Sequence, residues 1–174
     1  SLAYAGEFAF RTTQALSVTA PIQATGGAAS DITLRTAAGL ALNAPVTAGT
    51  GRLTLEAGGA VQQAATGARI TAGELRVNAG GDALLAPALA AEFNAVGVLG
   101  PSSVNGTFAL HGAGDLALQG SIAQLGANRS LVVETTGALS LAAGAAVEFA
   151  NPTLRAAGAI TLEGSLGLSG GAAP

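Results

Sequence analysis

Cysteine, methionine, tryptophan and lysine are all absent from this 174-residue chain. Without cysteine there is neither a disulfide framework nor thiolate chemistry. Without lysine, the basic residues are Arg11, Arg35, Arg52, Arg69, Arg76, Arg129 and Arg155, spread along the chain with no cluster. Nucleic-acid binding needs a concentrated basic face. Scattered arginines and a net charge of −3 exclude it, together with binding to an anionic membrane surface. Charged residues are only 10% and aromatics 3%, against roughly 25% charged in ordinary domains. The uncharged run Phe93–Gly114 is interrupted by Asn94, Pro101, Ser102, Ser103 and Asn105. A membrane-spanning helix needs about 20 predominantly apolar residues, so none is expected there. No signal peptide is apparent. The lack of an initiating methionine is expected of a chain that starts inside a longer precursor or after processing.

What remains is Ala, Leu, Val and 26 glycines, with 49% hydrophobic residues overall. These are ordered as a repeat. From Ile32, apolar residues fall at Leu34, Leu40, Leu42 and Val46, giving offsets 0, 2, 8, 10 and 14. The same offsets recur from Phe8, Leu75, Phe108, Leu131 and Pro152. A copy from Leu53 keeps Leu55 and Val61 but places Gln63 and Gly67 where apolar residues are expected. The copies thus start at positions 8, 32, 53, 75, 108, 131 and 152, and successive starts differ by 24, 21, 22, 33, 23 and 21. The 33 predicts an irregular insertion or an extra partial coil over residues 92–105.

Apolar i, i+2 pairs are the signature of a strand with one buried face. Each pair is followed by a small-residue break such as Ala57-Gly58-Gly59 or Ala79-Gly80-Gly81, where glycine permits a tight corner. An amphipathic helix would need i, i+3, i+4 spacing. Asn-Gly, the strongest hairpin signal, occurs once, at Asn105-Gly106. The pattern therefore predicts an all-β chain forming one parallel β-solenoid over residues 1–174, with about 7–8 coils of roughly 21–24 residues. Offset 3 is polar in every copy: Arg11, Arg35, Glu56, Asn78, His111, Glu134 and Arg155. Stacked at about 4.8 Å, these form an expected outward ladder. It would contain two opposite-charge pairs, Arg35–Glu56 and Glu134–Arg155, and one like-charge contact, Arg11–Arg35.

The runs Asp31-Ile32-Thr33-Leu34, Gly39-Leu40-Ala41-Leu42-Asn43-Ala44-Pro45-Val46-Thr47-Ala48-Gly49 and Ala79-Gly80-Gly81-Asp82-Ala83-Leu84-Leu85-Ala86-Pro87 resemble the shaft repeats of filamentous haemagglutinin-like exoproteins. The resemblance covers nearly the whole chain. It implies a right-handed β-helix and a two-partner secretion substrate of a Gram-negative bacterium, exported through an outer-membrane β-barrel transporter. It further implies a secreted, cell-surface protein serving adhesion, biofilm building or a toxin stalk. Its partners would be a host surface, a neighbouring cell or further copies of itself. The secretion domain of such proteins carries Asn-Pro-Asn-type motifs. Only Asn151-Pro152 is present, which places the chain in the shaft, and the shaft repeat supplies no functional residues to carry over.

No catalytic, cofactor or metal site is expected. His111 is the only histidine, and it falls in the outward column. A Ser-His-Asp set from His111 and Asp115 has no supporting spacing. The ten acids lie at scattered offsets rather than converging on one face, as a β-helical carbohydrate-active enzyme would require. Asp82 and Asp115 share offset 7, at a corner where Asp is a common turn residue. Gly112-Ala113-Gly114-Asp115 is the nearest approach to a calcium-binding repeat and does not recur. Asn105-Gly106-Thr107 and Asn128-Arg129-Ser130 match the N-glycosylation pattern. Recognition often sits on extrusions from a regular scaffold, so Val98, Ser102, Ser103 and Asn105 are the candidate contact loop. Three functions follow as expectations: a structural adhesin shaft, a self-assembling extracellular filament, and, third, a β-helical enzyme.

Overall fold

The computed structural model describes residues 2–4, 6–24, 30–64, 66–127 and 129–167. The chain is all-β, with parallel strands stacked as a β-solenoid of about seven turns. Its single helical element is a short 3-10 turn, Ala90–Glu92, among the described residues. No helix there is long and apolar enough to cross a membrane.

A seven-stranded sheet gives the clearest view of the stacking. Its strands are Leu16–Val18, Leu40–Leu42, Val61–Gln63, Ala83–Leu85, Phe108–Gly112, Ser130–Thr135 and Asn151–Ala156. One inward column runs Leu16–Leu40–Val61–Ala83–Phe108–Leu131–Pro152. Successive members of that column differ in number by 24, 21, 22, 25, 23 and 21. No step is 33. The 33 of the sequence frame is the advance from Leu75 to Ala83, which crosses to the next face, added to the full coil from Ala83 to Phe108.

The repeat frame therefore slips by one face of the solenoid. In the first four copies the long strand lies on the other sheet, as Phe8–Thr12, Ile32–Thr36, Arg52–Ala57 and the second half of Ile70–Ala79. From Phe108 onward the long strand lies on the seven-stranded sheet. The face it has left carries two short strands per coil, such as Leu116–Leu118 and Ser121–Gln124. The slip happens over the segment expected to be irregular. Ala95–Leu99 and Ser102–Val104 stack on the single strand Ile70–Ala79, and Gly100-Pro101 divides them. Pro101 has no N–H to continue the ladder. Beside this break the amide of Val77 donates to a side chain, Ser102 Oγ, at 3.0 Å.

This register accounts for residues 92–105, where an irregular insertion or an extra partial coil was expected, without a projecting segment. Ala95–Leu99 and Ser102–Val104 each pair with strands of the coils before and after. They are part of the wall. Sequence could not reveal this because the long and short strands carry the same apolar i, i+2 pair, so a frame set on one face looks like a frame set on the next.

The interior is a continuous apolar column. Ile32, Leu42, Leu53, Leu55, Leu75, Val77, Leu85, Leu99, Leu110 and Leu131 are all fully enclosed. Burying each such side chain stabilises by roughly 1.5–3 kcal/mol. Two phenylalanines, Phe108 and Phe149, fit in this narrow space with no exposure. Phe108 has room because its partner in the preceding coil is Ala83.

The corners use a staple between coils. Asp31, Asp82 and Asp115 each directly precede a strand. Each accepts, through Oδ1, a backbone N–H from the next coil at 2.8 Å: Arg52, Thr107 and Ala138 respectively. The residue before each donor is glycine: Gly51, Gly106 and Gly137. A Cβ on Gly51 would come within 2.3 Å of the Ser30 carbonyl oxygen. On Gly106 and Gly137 it would lie 2.2 and 2.4 Å from the stapling carboxylate itself. The corner backbone of one coil, with the carboxylate at Asp82 and Asp115, thus leaves room only for glycine in the next.

Candidate functional site

The seven residues of the expected ladder form two columns, not one. Arg11, Arg35, Glu56 and Asn78 stack in register and continue to Ser103. His111, Glu134 and Arg155 stack on the other sheet. The frame slip separates them. Within the columns the expected neighbours meet: Arg35 Nε lies 3.3 Å from Glu56 Oε2, and Arg155 donates to Glu134 Oε1 at 2.7 Å. Exposed pairs of this kind contribute about 0–1 kcal/mol each.

His111 is more enclosed than a solvated ladder residue. The turn Ala90–Glu92 brings Phe93 across it, edge-on, with ring centroids 5.0 Å apart. Nδ1 lies 3.0 Å from the Pro87 carbonyl oxygen, which only accepts, so Nδ1 carries the hydrogen. Nε2 is 3.4 Å from Glu134 Oε2. Both ring nitrogens lie close to oxygens of the scaffold.

Three polar clusters were not anticipated. Arg52 lies between two acids, 3.7 Å from Asp31 and 3.0 Å from Glu74. Arg76 approaches Glu74 to 2.6 Å. Burial pushes the Glu74 carboxyl up, but hydrogen bonds and charge from Arg76 and Arg52 outweigh it and hold the group below the usual glutamate value. The hydrogen bond and charge of Glu74 raise Arg52 against the opposing effect of burial.

The second cluster is inside the wall. Asn94 is fully buried. Its Oδ1 accepts from Ile70 N at 2.9 Å and Gln63 Nε2 at 2.8 Å. Its Nδ2 donates to Leu85 O at 2.9 Å and Gln63 Oε1 at 3.0 Å. Gln63 also donates to Ala68 O, at 2.9 Å. The polar residue that broke the Leu53 copy is therefore the partner of a buried amide in the next coil. A polar residue at an apolar offset was the one available signal.

The third is a groove of about 1240 Å³ along the first column. Arg11, Arg35, Glu56, Asn78 and Ser103 form one wall, and Ala37, Gly58 and Gly80 lie along it.

Of the candidate contact residues, Val98 is half-buried on its strand and Ser102 is buried, its Oγ donating to Gly100 O at 3.0 Å. Ser103 donates to Asn78 Oδ1 at 2.9 Å. Asn105 is exposed, with its backbone N–H bound to Ala79 O. Asn128 lies outside the described residues. No group of three or more His, Cys, Asp or Glu side chains among the described residues is placed to hold a metal ion. Comparisons with protein-family models, with curated proteins and with solved structures return no match.

Proposed function

We propose that this chain is a section of a structural β-solenoid shaft in a secreted bacterial surface protein of the filamentous haemagglutinin type, serving adhesion. One observation carries the reading. The inward columns run without interruption into the outermost described coils and are exposed there. Phe10 is 43% exposed at one end, and Ile160, Leu162 and Leu166 are 46%, 52% and 44% exposed at the other. These stand in register with the buried Leu34, Leu139, Leu141 and Val147. Solenoid stability is a sum of nearest-neighbour terms, so length is added at no cost to the existing turns, and reach is the property such a scaffold offers.

The same exposed columns support a second reading, in which copies of the chain stack end to end as an extracellular filament. Electron microscopy of the purified natural protein separates the two. Long single fibres anchored at one end are the expected result. Ordered filaments of many short stacked subunits would replace the shaft by the filament. Compact isolated particles would overturn both.

A further inference from the structure

Of the three glycines opposite the aspartate staples, one is bonded differently. Gly51 N donates to Ala48 O at 2.9 Å and Gly137 N to Gly114 O at 3.1 Å. Gly106 is buried, yet its N–H has no hydrogen-bond partner among the described residues. The same break shows along its own column. Gly59 N donates to Ala38 O at 3.0 Å and Gly81 N to Gly59 O at 3.1 Å. The register that pairs Ala79 with Val104 sets Gly106 on Gly81, and there the series of bonds stops. Buried N–H groups are nearly always paired, so this one stands out.

The residue before it is Asn105. Its backbone N–H is held by Ala79 O at 2.9 Å. Its side chain is exposed and has no hydrogen-bond partner among the described residues. A free carboxamide thus adjoins a peptide nitrogen that no ladder bond holds, and glycine puts no Cβ in the way. The other described asparagines lack this combination. Asn43 and Asn78 bond to Ser17 and Ser103, and Ala79, after Asn78, lies in the ladder. Asn94 is buried with its bonds made. Asn151 precedes Pro152, which has no N–H to give up.

We propose that Asn105-Gly106 is a self-modifying site, converting to aspartate and isoaspartate in the folded chain. Asparagine is among the chemically labile residues. The Gly106 nitrogen attacks Cγ of Asn105. The N–Cγ bond forms, the Cγ–Nδ2 bond breaks, and Nδ2 leaves as ammonia, taking up the Gly106 proton. Water then opens the resulting succinimide at either carbonyl. One opening gives aspartate, with its carboxylate beside Arg129: a Cβ placed on Gly126 would lie 2.6 Å from Asn105 Oδ1 and 3.1 Å from Arg129 Nε. The other gives isoaspartate, which threads the side-chain carbon into the main chain between Ser102–Val104 and Phe108–Gly112. That lengthening falls next to the bond from Thr107 N to Asp82 Oδ1. Either product adds one negative charge, and ammonia loss makes the change one-way. The proposal stands on this corner alone and does not require the shaft reading.

Ageing of the folded 174-residue chain in mildly alkaline buffer tests it, with peptide mapping by mass spectrometry and circular dichroism to verify that the chain stays folded. Asn105 is expected to convert to aspartate and isoaspartate at least about tenfold faster than Asn43 or Asn78. The same chain in urea gives the rate without the fold, and the folded rate is expected to lie within about tenfold of it. Asn105→Gln keeps a carboxamide but needs a larger ring, and the acidic species that ion exchange resolves on ageing is expected to be absent from it. Conversion at Asn105 no faster than at Asn43 and Asn78 overturns the proposal. So does a folded rate more than about tenfold below that in urea, because the corner then protects the site. An acidic species that persists in Asn105→Gln also overturns it, since the labile residue then lies elsewhere.

Discussion

Replacing Asn94 by alanine tests whether the buried amide cluster holds the two halves of the solenoid together. The truncation removes all four hydrogen bonds of the side chain. Gln63 keeps its bond to Ala68 O and is partly exposed, so its amide can find water. The Ile70 N–H is enclosed and loses its partner, whereas the Leu85 carbonyl loses one bond and stays in the ladder with Phe108–Gly112. An unsatisfied buried group costs about 1–3 kcal/mol, so Asn94→Ala predicts a loss of roughly 1–3 kcal/mol, with water entering the vacated space bringing it towards the lower figure. Since whole domains are stable by about 5–15 kcal/mol, urea denaturation resolves such a change as a shift in midpoint at constant slope. Asn43→Ala is the control. Asn43 also donates a side-chain hydrogen bond, to Ser17 Oγ at 2.9 Å, but it is exposed, and its loss is expected to stay within about 0.5 kcal/mol. The Ile70 amide should exchange faster in the Asn94 variant while amides of Leu131–Val133 remain protected, because coils couple only to neighbours. A loss below about 1 kcal/mol for Asn94→Ala, or equal losses for both variants, would refute the reasoning.

Three further outcomes follow from the same structure. Gly137→Ala forces a Cβ to 2.4 Å from both Gly114 C and Asp115 Oδ1; thermal unfolding should show a loss of about 2 kcal/mol or more, and Asp115→Ala in the same chain should not restore it, since the backbone contact persists. Phe108→Ala leaves a void facing Ala83 and is expected to cost about 3–5 kcal/mol by urea denaturation, whereas Phe10→Ala, at an exposed position, should cost far less. Glu74 has a folded pKa below its unfolded one, so its ionisation stabilises the fold fully above the ordinary glutamate value of about 4.3 and that share is lost as pH falls through the folded value; Glu74→Gln should flatten the acid limb of a stability–pH curve below about pH 5, and an unchanged limb would show that the two arginines do not favour the carboxylate.

The fold class was legible because apolar i, i+2 pairs, small-residue corners and a period near 22 all point to the same stacked strand. Within each half the register was legible as well: Ile32 opposite Leu53, and Leu131 opposite Pro152, follow directly from the offsets. The ion pairs Arg35–Glu56 and Glu134–Arg155 between coils were legible too, and what escaped were the remaining contacts between coils. The frame slip was hidden because Leu75-x-Val77 and Ala83-x-Leu85 are the same pattern. The aspartate staples looked like ordinary turn residues, since their glycine partners lie a whole coil away. Gln63 looked like a failure of the repeat until Asn94 supplied its partner. The groove is a property of a column rather than of any one copy, and a sequence read copy by copy does not display it.

The change of frame at the fifth coil has a consequence for how such a chain can grow. Duplicating or deleting one whole coil before Leu75, or one after Phe108, leaves every remaining side chain on the face it already occupies. An exchange that matches the offsets of an early copy to those of a late one turns everything beyond the joint by one face, because Ile32 and Leu131 lie on different sheets, whereas a joint from Leu40 to Leu131 keeps the column. Length is therefore free to vary by recombination within either array. The arginine-bearing column near one end and the histidine-bearing column near the other lie on two sheets that both run on through the described coils, so the wall itself fixes the angle between them.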